Sequence, residues 1–472
     1  MLKRFFDHYV AEEVRPMLRL AVPIVMAELG WVAMSIVDTI MVGHQRNSAV
    51  AIGAVSLSSI LYYVVAIFGT GIMLGLDTLV SQSYGAGDLE DAHRSLVNGV
   101  YLSLGMTPLL MGLVWLWEPI VRLLNIPAPL LAQAMPYLRA LNWGTLPLLL
   151  FFAFRRYLQG VNLVKPVMFS LVSANIVNFV LNWAFIYGHL GFRAMGTVGS
   201  GWSTCFARVY MALVLMVYAV YYDARHKTGL RHVSRRVHLP RVWELLALGF
   251  PAASQIGVEI GVFAVATTLI GKLGALPLAS HQIALNTVSF TYMVPLGISS
   301  AAAVRVGQAL GRRDPHAASR AGWTALLLGA GFMACMAVLL WAVPGYIARI
   351  YTPDPAVIRA ASVLLFIGAF FQLFDGVQSV ATGALRGAGD TRTPLLCHLV
   401  YYWVIGLPLG AYLCFRAGWG VRGLWTGLCV ALILIGSTLL YVWHRKERTF
   451  SELVQQRSMN ATSDMEISRT QP

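Results

Sequence analysis

Four acids stand inside long apolar runs: Glu28, Asp38, Glu259 and Asp375. A charged side chain near the centre of a bilayer costs at least ~2.5–3.5 kcal/mol on insertion scales, so each is a functional suspect. Glu259 sits between Gly257 and Gly261, with Gln255 one helical turn earlier on the same face. Asp375 shares a face with Gln372 and Ser379, and Phe370, Phe371 and Phe374 lie beside it. A carboxylate next to aromatic rings suits a lipophilic cation. The structural reading is an acid neutralised by burial and bonded to a neighbouring helix. Asn175, Asn178 and Asn182 form a stripe on one helical face. Their amides can bridge helices or, with Asp38, offer oxygens to a hard cation such as Na⁺. Asp77, near the end of its run, is expected to reach headgroups or Arg94, and Arg208 reads as the only deep base and a candidate structural partner for one acid.

Other chemistries lack their residues. There is no HExxH, no paired-cysteine metal spacing and no GxxxxGK[ST] loop. His281-Gln282 reads as an interface pair, and His189, His226, His232, His238 and His444 fall in loops. Cys205, Cys335, Cys397, Cys414 and Cys429 each lie in an apolar run and read as small buried hydrophobes. The expectation is a protein that is not an enzyme, has no metal or cofactor of its own, and either draws on an ion gradient or runs downhill.

The elements that must position these residues are membrane spans. Only 12% of the 472 residues are charged and 57% are hydrophobic, with mean hydropathy +0.66. A soluble chain this long would carry about twice the charge. Twelve apolar stretches can cross a bilayer: 17–43, 51–82, 94–117, 133–154, 166–188, 197–222, 243–270, 278–308, 318–343, 357–384, 394–415 and 422–443. An even number places both termini on one side. That side receives 25 of the 35 Lys and Arg, among them Lys3, Arg4, Arg155, Arg156 and Arg235, against nine opposite. The termini are therefore expected in the cytosol. The net charge of +14 then reads as attraction to an anionic leaflet, not to nucleic acid. The tail from Thr449 is polar, and its Asn460-Ala461-Thr462 sequon reads as a chance match on the cytosolic side.

The chain repeats itself at an offset of 226–228 residues. Pro23 matches Pro251, and Gly43 matches Gly271. Gln82-x-x-Gly85-x-x-Asp88 matches Gln308-x-x-Gly311-x-x-Asp314, and Leu158-x-Gly160 matches Leu385-x-Gly387. Each half holds six spans, so the repeat is parallel, a plan suited to alternating access. The expected layout is an N-terminal segment 1–16, an N-lobe 17–222, a basic linker 223–242, a C-lobe 243–443 and a cytoplasmic tail 444–472. The fold class is an all-α polytopic membrane protein of twelve transmembrane helices in two parallel six-helix repeats.

Val37-Asp38-Thr39-Ile40-Met41-Val42-Gly43, the two Gln-to-Asp turns and Leu385-Arg386-Gly387-x-Gly389-Asp390 together resemble the multidrug and toxic compound extrusion (MATE) family. The likeness runs to about Arg445, and Glu259 with Asp375 matches the paired acids of its NorM-like branch. It implies two six-helix bundles forming a V-shaped cleft. It implies export of lipophilic cationic drugs and dyes in exchange for inward Na⁺ or H⁺. By the same resemblance Asp38, Asn178, Asn182 and Thr204 form an N-lobe ion or proton site, where some relatives carry an acid in place of Asn182. Glu259, Asp375, Gln255 and Phe371 form a C-lobe cation and substrate site, and Phe290, Tyr292, Met293 and Phe370 are candidates for adaptable drug contacts. One chain holds both lobes and could act as a monomer in the lipid of a bacterial inner membrane. The alternatives are a lipid or oligosaccharide flippase of the same superfamily, which needs a basic cavity, and a major-facilitator carrier, which needs a charged turn after the second span. Here that turn reads Ser83-Tyr84-Gly85-Ala86-Gly87-Asp88.

Overall fold

The structure, a computed structural model, describes residues 11–45, 48–123, 127–234 and 236–470. The side chains of residues 11, 122, 123 and 450–470 are not among those described. Lys3, Arg4, Arg235 and the sequon side chains named above therefore lie outside it.

Among the described residues the chain is helical, without strands. We label the spans α1 Ala11–Gly43, α2 Ser48–Gly85, α3 Leu89–Trp115, α4 Ala128–Asn142 with Thr145–Gly160, α5 Val164–Tyr187 and α6 Thr197–His226. The second half follows with α7 Leu239–Gly271, α8 Ala275–Gly311, α9 Pro315–Ala342, α10 Pro355–Gly387, α11 Arg392–Arg416 and α12 Val421–Thr470. Eleven are single helices long and apolar enough to cross a membrane, and the bent pair α4 completes twelve. Ile60, Ile176, Val217 and Trp243 each leave more than half of their surface outside the packed interior. Such apolar exterior belongs in hydrocarbon.

Local sequence sets the helix ends. Asp88 caps α3 by accepting from the Asp91 N–H at 2.9 Å, and Asp314 caps α9 through the Ala317 N–H at 2.8 Å. Pro315 and Pro355 occupy first-turn positions, where a missing N–H leaves no bond unmade. α4 bends by 46° at Trp143-Gly144, inside the stretch read from sequence as one unbroken span. Arg208 fills the break. Its Nη1 donates to the Leu141 carbonyl at 3.4 Å, and its guanidinium lies 4.7 Å from the Tyr62 ring centre. A Cβ at Gly144 would come within 3.1 Å of this side chain. α11 widens into π-helix over Leu399–Gly406 and Tyr412–Arg416.

The packing divides the chain into two compact units, residues 22–80 with 88–257 and residues 1–21, 81–87 and 258–472. In the first, α6 packs on α4 and α5. In the second, α10 is the central helix, packed against α8, α9 and α12. The second unit also explains the twin Gln-to-Asp turns. A Cβ on Gly85 would sit 2.1 Å from the Gln308 carbonyl oxygen, and one on Gly311 would sit 2.0 Å from that of Gln82. Each turn thus receives the backbone of its repeat-mate, and only glycine permits that approach.

Candidate functional site

The first unit gathers a carboxylate and three polar side chains. Asp38 on α1 is buried, as are Asn178 and Asn182 on α5 and Thr204 on α6. Asn182 Nδ2 donates to Asp38 Oδ1 at 2.6 Å and lies 3.1 Å from Asn178 Oδ1. Thr204 Oγ1 donates to Asp38 Oδ2 at 3.0 Å. The i, i+4 spacing of the two asparagines turns both amides toward the acid. Asn175 falls out of the cluster. Its amide donates to the Gly30 carbonyl at 3.0 Å and ties α5 to α1. Asp38, Thr204, Tyr63, Tyr137 and Arg208 line a cavity of about 110 Å³. Such a space takes a small cation or a few waters, whereas drug-sized sites run to ~300 Å³ and above.

The second unit gathers the other acids. Asp375, buried on α10, and Glu259, on α7, converge on Gln378. The amide as placed turns its NH₂ toward Asp375 Oδ1 at 3.1 Å and Glu259 Oε1 at 3.3 Å. Its carbonyl oxygen faces His398 Nε2 at 2.9 Å. His398 is fully buried at the start of the π-helical part of α11, and its Nδ1 meets the Pro394 carbonyl at 2.7 Å. Gln372 donates to Thr291 at 2.7 Å. Phe371 is buried against Trp425, with ring centres 5.8 Å apart, whereas Phe290 and Phe370 face outward. Gln255, predicted to join this site, is buried one turn before Glu259 on α7 but belongs to the first packed unit.

Several expectations need correction. Arg208 is not the only deep base: Arg155 and Arg156 lie buried within α4, not in a cytosolic loop. Arg155 donates to Glu28, and Arg156 stands 3.5 Å from Asp77. Two of the votes for inside termini are therefore buried partners of acids. Asp77 reaches neither headgroups nor Arg94, which pairs with Glu90. Arg208 itself holds a carbonyl and a ring rather than an acid. His281 does act as an interface residue, accepting from Trp425 Nε1 at 3.0 Å and meeting Thr267 at 2.9 Å.

Sequence reasoning missed Gln378 as a site residue and missed His398 altogether. The signal for His398 was available: an ionisable side chain in an apolar span. Leu385-Arg386-Gly387-x-Gly389-Asp390 is structural. A Cβ on Gly387 would lie 2.3 Å from the Ala303 carbonyl oxygen. Asp390 accepts from the Thr393 N–H at 3.0 Å and from Lys446 at 2.7 Å, anchoring α12.

A twelve-span helical bundle of two related halves, with a buried carboxylate cluster in each packed unit, is the build of a membrane transporter. The MatE family profile matches twice, over residues 23–184 and 251–412. The probable multidrug resistance protein NorM of Mesorhizobium japonicum is 35% identical over 93% of this chain and 95% of its own length. NorM of Pseudomonas aeruginosa is 34% identical over 91% of this chain and 89% of its own. The eukaryotic MATE transporter AtDTX14 superposes with a TM-score of 0.83 at 20% identity, covering 94% of this chain and 99% of that one. The chain belongs to the MatE family of transporters, in its NorM-like branch.

Proposed function

We propose that this protein is a multidrug efflux antiporter. It exports lipophilic organic cations in exchange for inward Na⁺ or H⁺ by alternating access. The observation that carries the reading is the convergence of Glu259 and Asp375 on one amide within an apolar bundle. Two carboxylates in that setting are expensive to leave bare, so they hold a positive charge. The names of the NorM relatives, multidrug resistance proteins, support the class of cargo. The Asp38 cavity of about 110 Å³ suits the coupling ion, Na⁺ or a proton, with Asn178, Asn182 and Thr204 around it. Organic cation and coupling ion then compete for the transporter's negative charge, and binding of the external ion releases the drug outward.

The surplus of Lys and Arg on the side of the termini supports cytosolic ends in a bacterial inner membrane. One chain, carrying the N-lobe 17–222 and the C-lobe 243–443, suffices as a monomer. The test uses cells without their own efflux pumps. Expression of the protein lowers ethidium accumulation, and Asp375→Asn at equal expression restores it. Accumulation left unchanged by the wild-type protein would refute the export reading, and accumulation still lowered by Asp375→Asn would refute the part given to that acid.

A further inference from the structure

The cluster on α7, α10 and α11 holds an amide and a histidine besides its two acids. Glu259 and Asp375 approach the same end of the Gln378 amide, and His398 holds the other end. The two ends differ in chemistry: one is an acceptor oxygen, the other a donor NH₂, and they differ little in size. Which end faces the acids depends on what His398 can offer.

The Pro394 carbonyl 2.7 Å from His398 Nδ1 can only accept, so Nδ1 carries a hydrogen. His398 has no exposed surface, and Glu259 Oε2 stands 3.8 Å from its Nε2, beyond hydrogen-bond length. A cation seated between Glu259 and Asp375 offsets the attraction of these carboxylates for a charged ring. A second hydrogen on the ring would then place one positive charge beside another in a low-dielectric site. With the site loaded, the ring is neutral and Nε2 is a bare acceptor. Its partner at 2.9 Å must then be the Gln378 NH₂. The amide oxygen thereby comes to the side where Asp375 and Glu259 stand at 3.1 and 3.3 Å. An oxygen there repels two carboxylates unless a cation lies among the three. The orientation as placed, with NH₂ on the acids, is the complementary arrangement for bare carboxylates.

We infer that Gln378 supplies the third oxygen to the cation held by Glu259 and Asp375, and that His398 is the positioning residue that turns this oxygen toward them. The inference rests on the reading that the two acids hold the cation. It adds an amide that serves the empty site by donating and the loaded site by accepting. Tyr402 borders the same ring, 5.7 Å from His398 between centres, and its buried hydroxyl has no hydrogen-bond partner among the described residues.

The test is equilibrium binding of ethidium to purified protein in detergent, and its competition by Na⁺. Loss of one hydrogen bond or ligand oxygen to a charged centre predicts about tenfold weaker binding in Gln378→Leu. His398→Phe, which keeps a ring but accepts nothing, weakens binding to a similar degree. The double variant is no weaker than Gln378→Leu alone, because His398 acts only through the amide. His398→Gln, whose carbonyl can accept from the same NH₂, recovers most of the affinity. Additive losses in the double variant, or full affinity in His398→Phe, overturn the inference. A purely structural histidine would give additive losses and no rescue by glutamine. Nitrogen-15 spectra of the cation-loaded protein give a second reading that needs no variant. A bare Nε2 and a protonated Nδ1 on His398 are expected, and hydrogens on both nitrogens would overturn it. Asp375→Asn separates the layers. If it binds ethidium as tightly as the wild type, the carboxylate site itself is wrong. If it loses binding while His398→Phe keeps it, only the His398 and Gln378 assignment falls.

Discussion

Glu28→Gln distinguishes a structural acid from a working one. Glu28 accepts from Arg155, and both are buried, with side-chain exposures of 11% and 2%. The guanidinium also lies 5.5 Å from the Phe152 ring centre, while its Nε has no hydrogen-bond partner among the described residues. Removing one partner of a buried pair strands the other charge, which costs about 3–5 kcal/mol. Replacing both by apolar side chains of like volume is close to neutral. Glu28→Gln should therefore lower the unfolding free energy by about 3 kcal/mol, and Glu28→Leu with Arg155→Met should recover most of it. The assay is equilibrium unfolding in mixed detergent and denaturing surfactant, with drug flux measured on the surviving folded fraction. Flux per folded molecule should stay near wild type in the double variant. Normal stability with lost flux would place Glu28 on the ion path and refute its assignment as the partner of Arg155.

Four further outcomes follow from the same geometry. Thr204→Val removes the hydroxyl that donates to Asp38 at 3.0 Å; the coupling-ion concentration for half-maximal flux should change by roughly tenfold, and an unchanged value argues against the Asp38 site. Gly387→Ala forces a Cβ to 2.3 Å from the Ala303 carbonyl oxygen, so folded yield and melting temperature should fall by the equivalent of about 2 kcal/mol or more. Gly331→Ala, with nothing within 4 Å, should be neutral or mildly stabilising by the same measurement. Asp390 is pulled in two directions: burial raises its pKa, but the Lys446 ammonium and the Thr393 N–H outweigh that and hold the carboxyl below its ordinary value. Its contribution is complete above about pH 4–5 and fades as pH falls through the lower folded-state value. Asp390→Asn should therefore cost about 1 kcal/mol at neutral pH, and the gap to wild type should close in acid melting curves.

The spans, the parallel repeat and the asparagine face of α5 were legible from patterns in the sequence, whereas Thr204 was named only through the family resemblance. Hydropathy marks a span, an offset marks a repeat, and the i, i+4 asparagines mark a face. Arg155 and Arg156 were misread because the apolar window ended at 154, while the helix continues to Gly160. Burial then depends on Glu28 and Asp77, which are distant in sequence. The bend at Trp143-Gly144 and the π-helix after His398 have no sequence period of their own. The bend is stabilised by Arg208 from another helix. Gln378 lay within a motif read for its acid, so its two-faced amide became visible only once α10 and α11 were side by side.

The most direct test of the account is drug flux in proteoliposomes of the purified protein, with ethidium as cargo. A Na⁺ gradient is imposed at fixed pH, then a pH gradient without Na⁺, with Asp375→Asn as control in both. The account predicts flux driven by one of these gradients and lost in Asp375→Asn. Flux that persists in Asp375→Asn, or folded protein that moves no ethidium under either gradient, would contradict it.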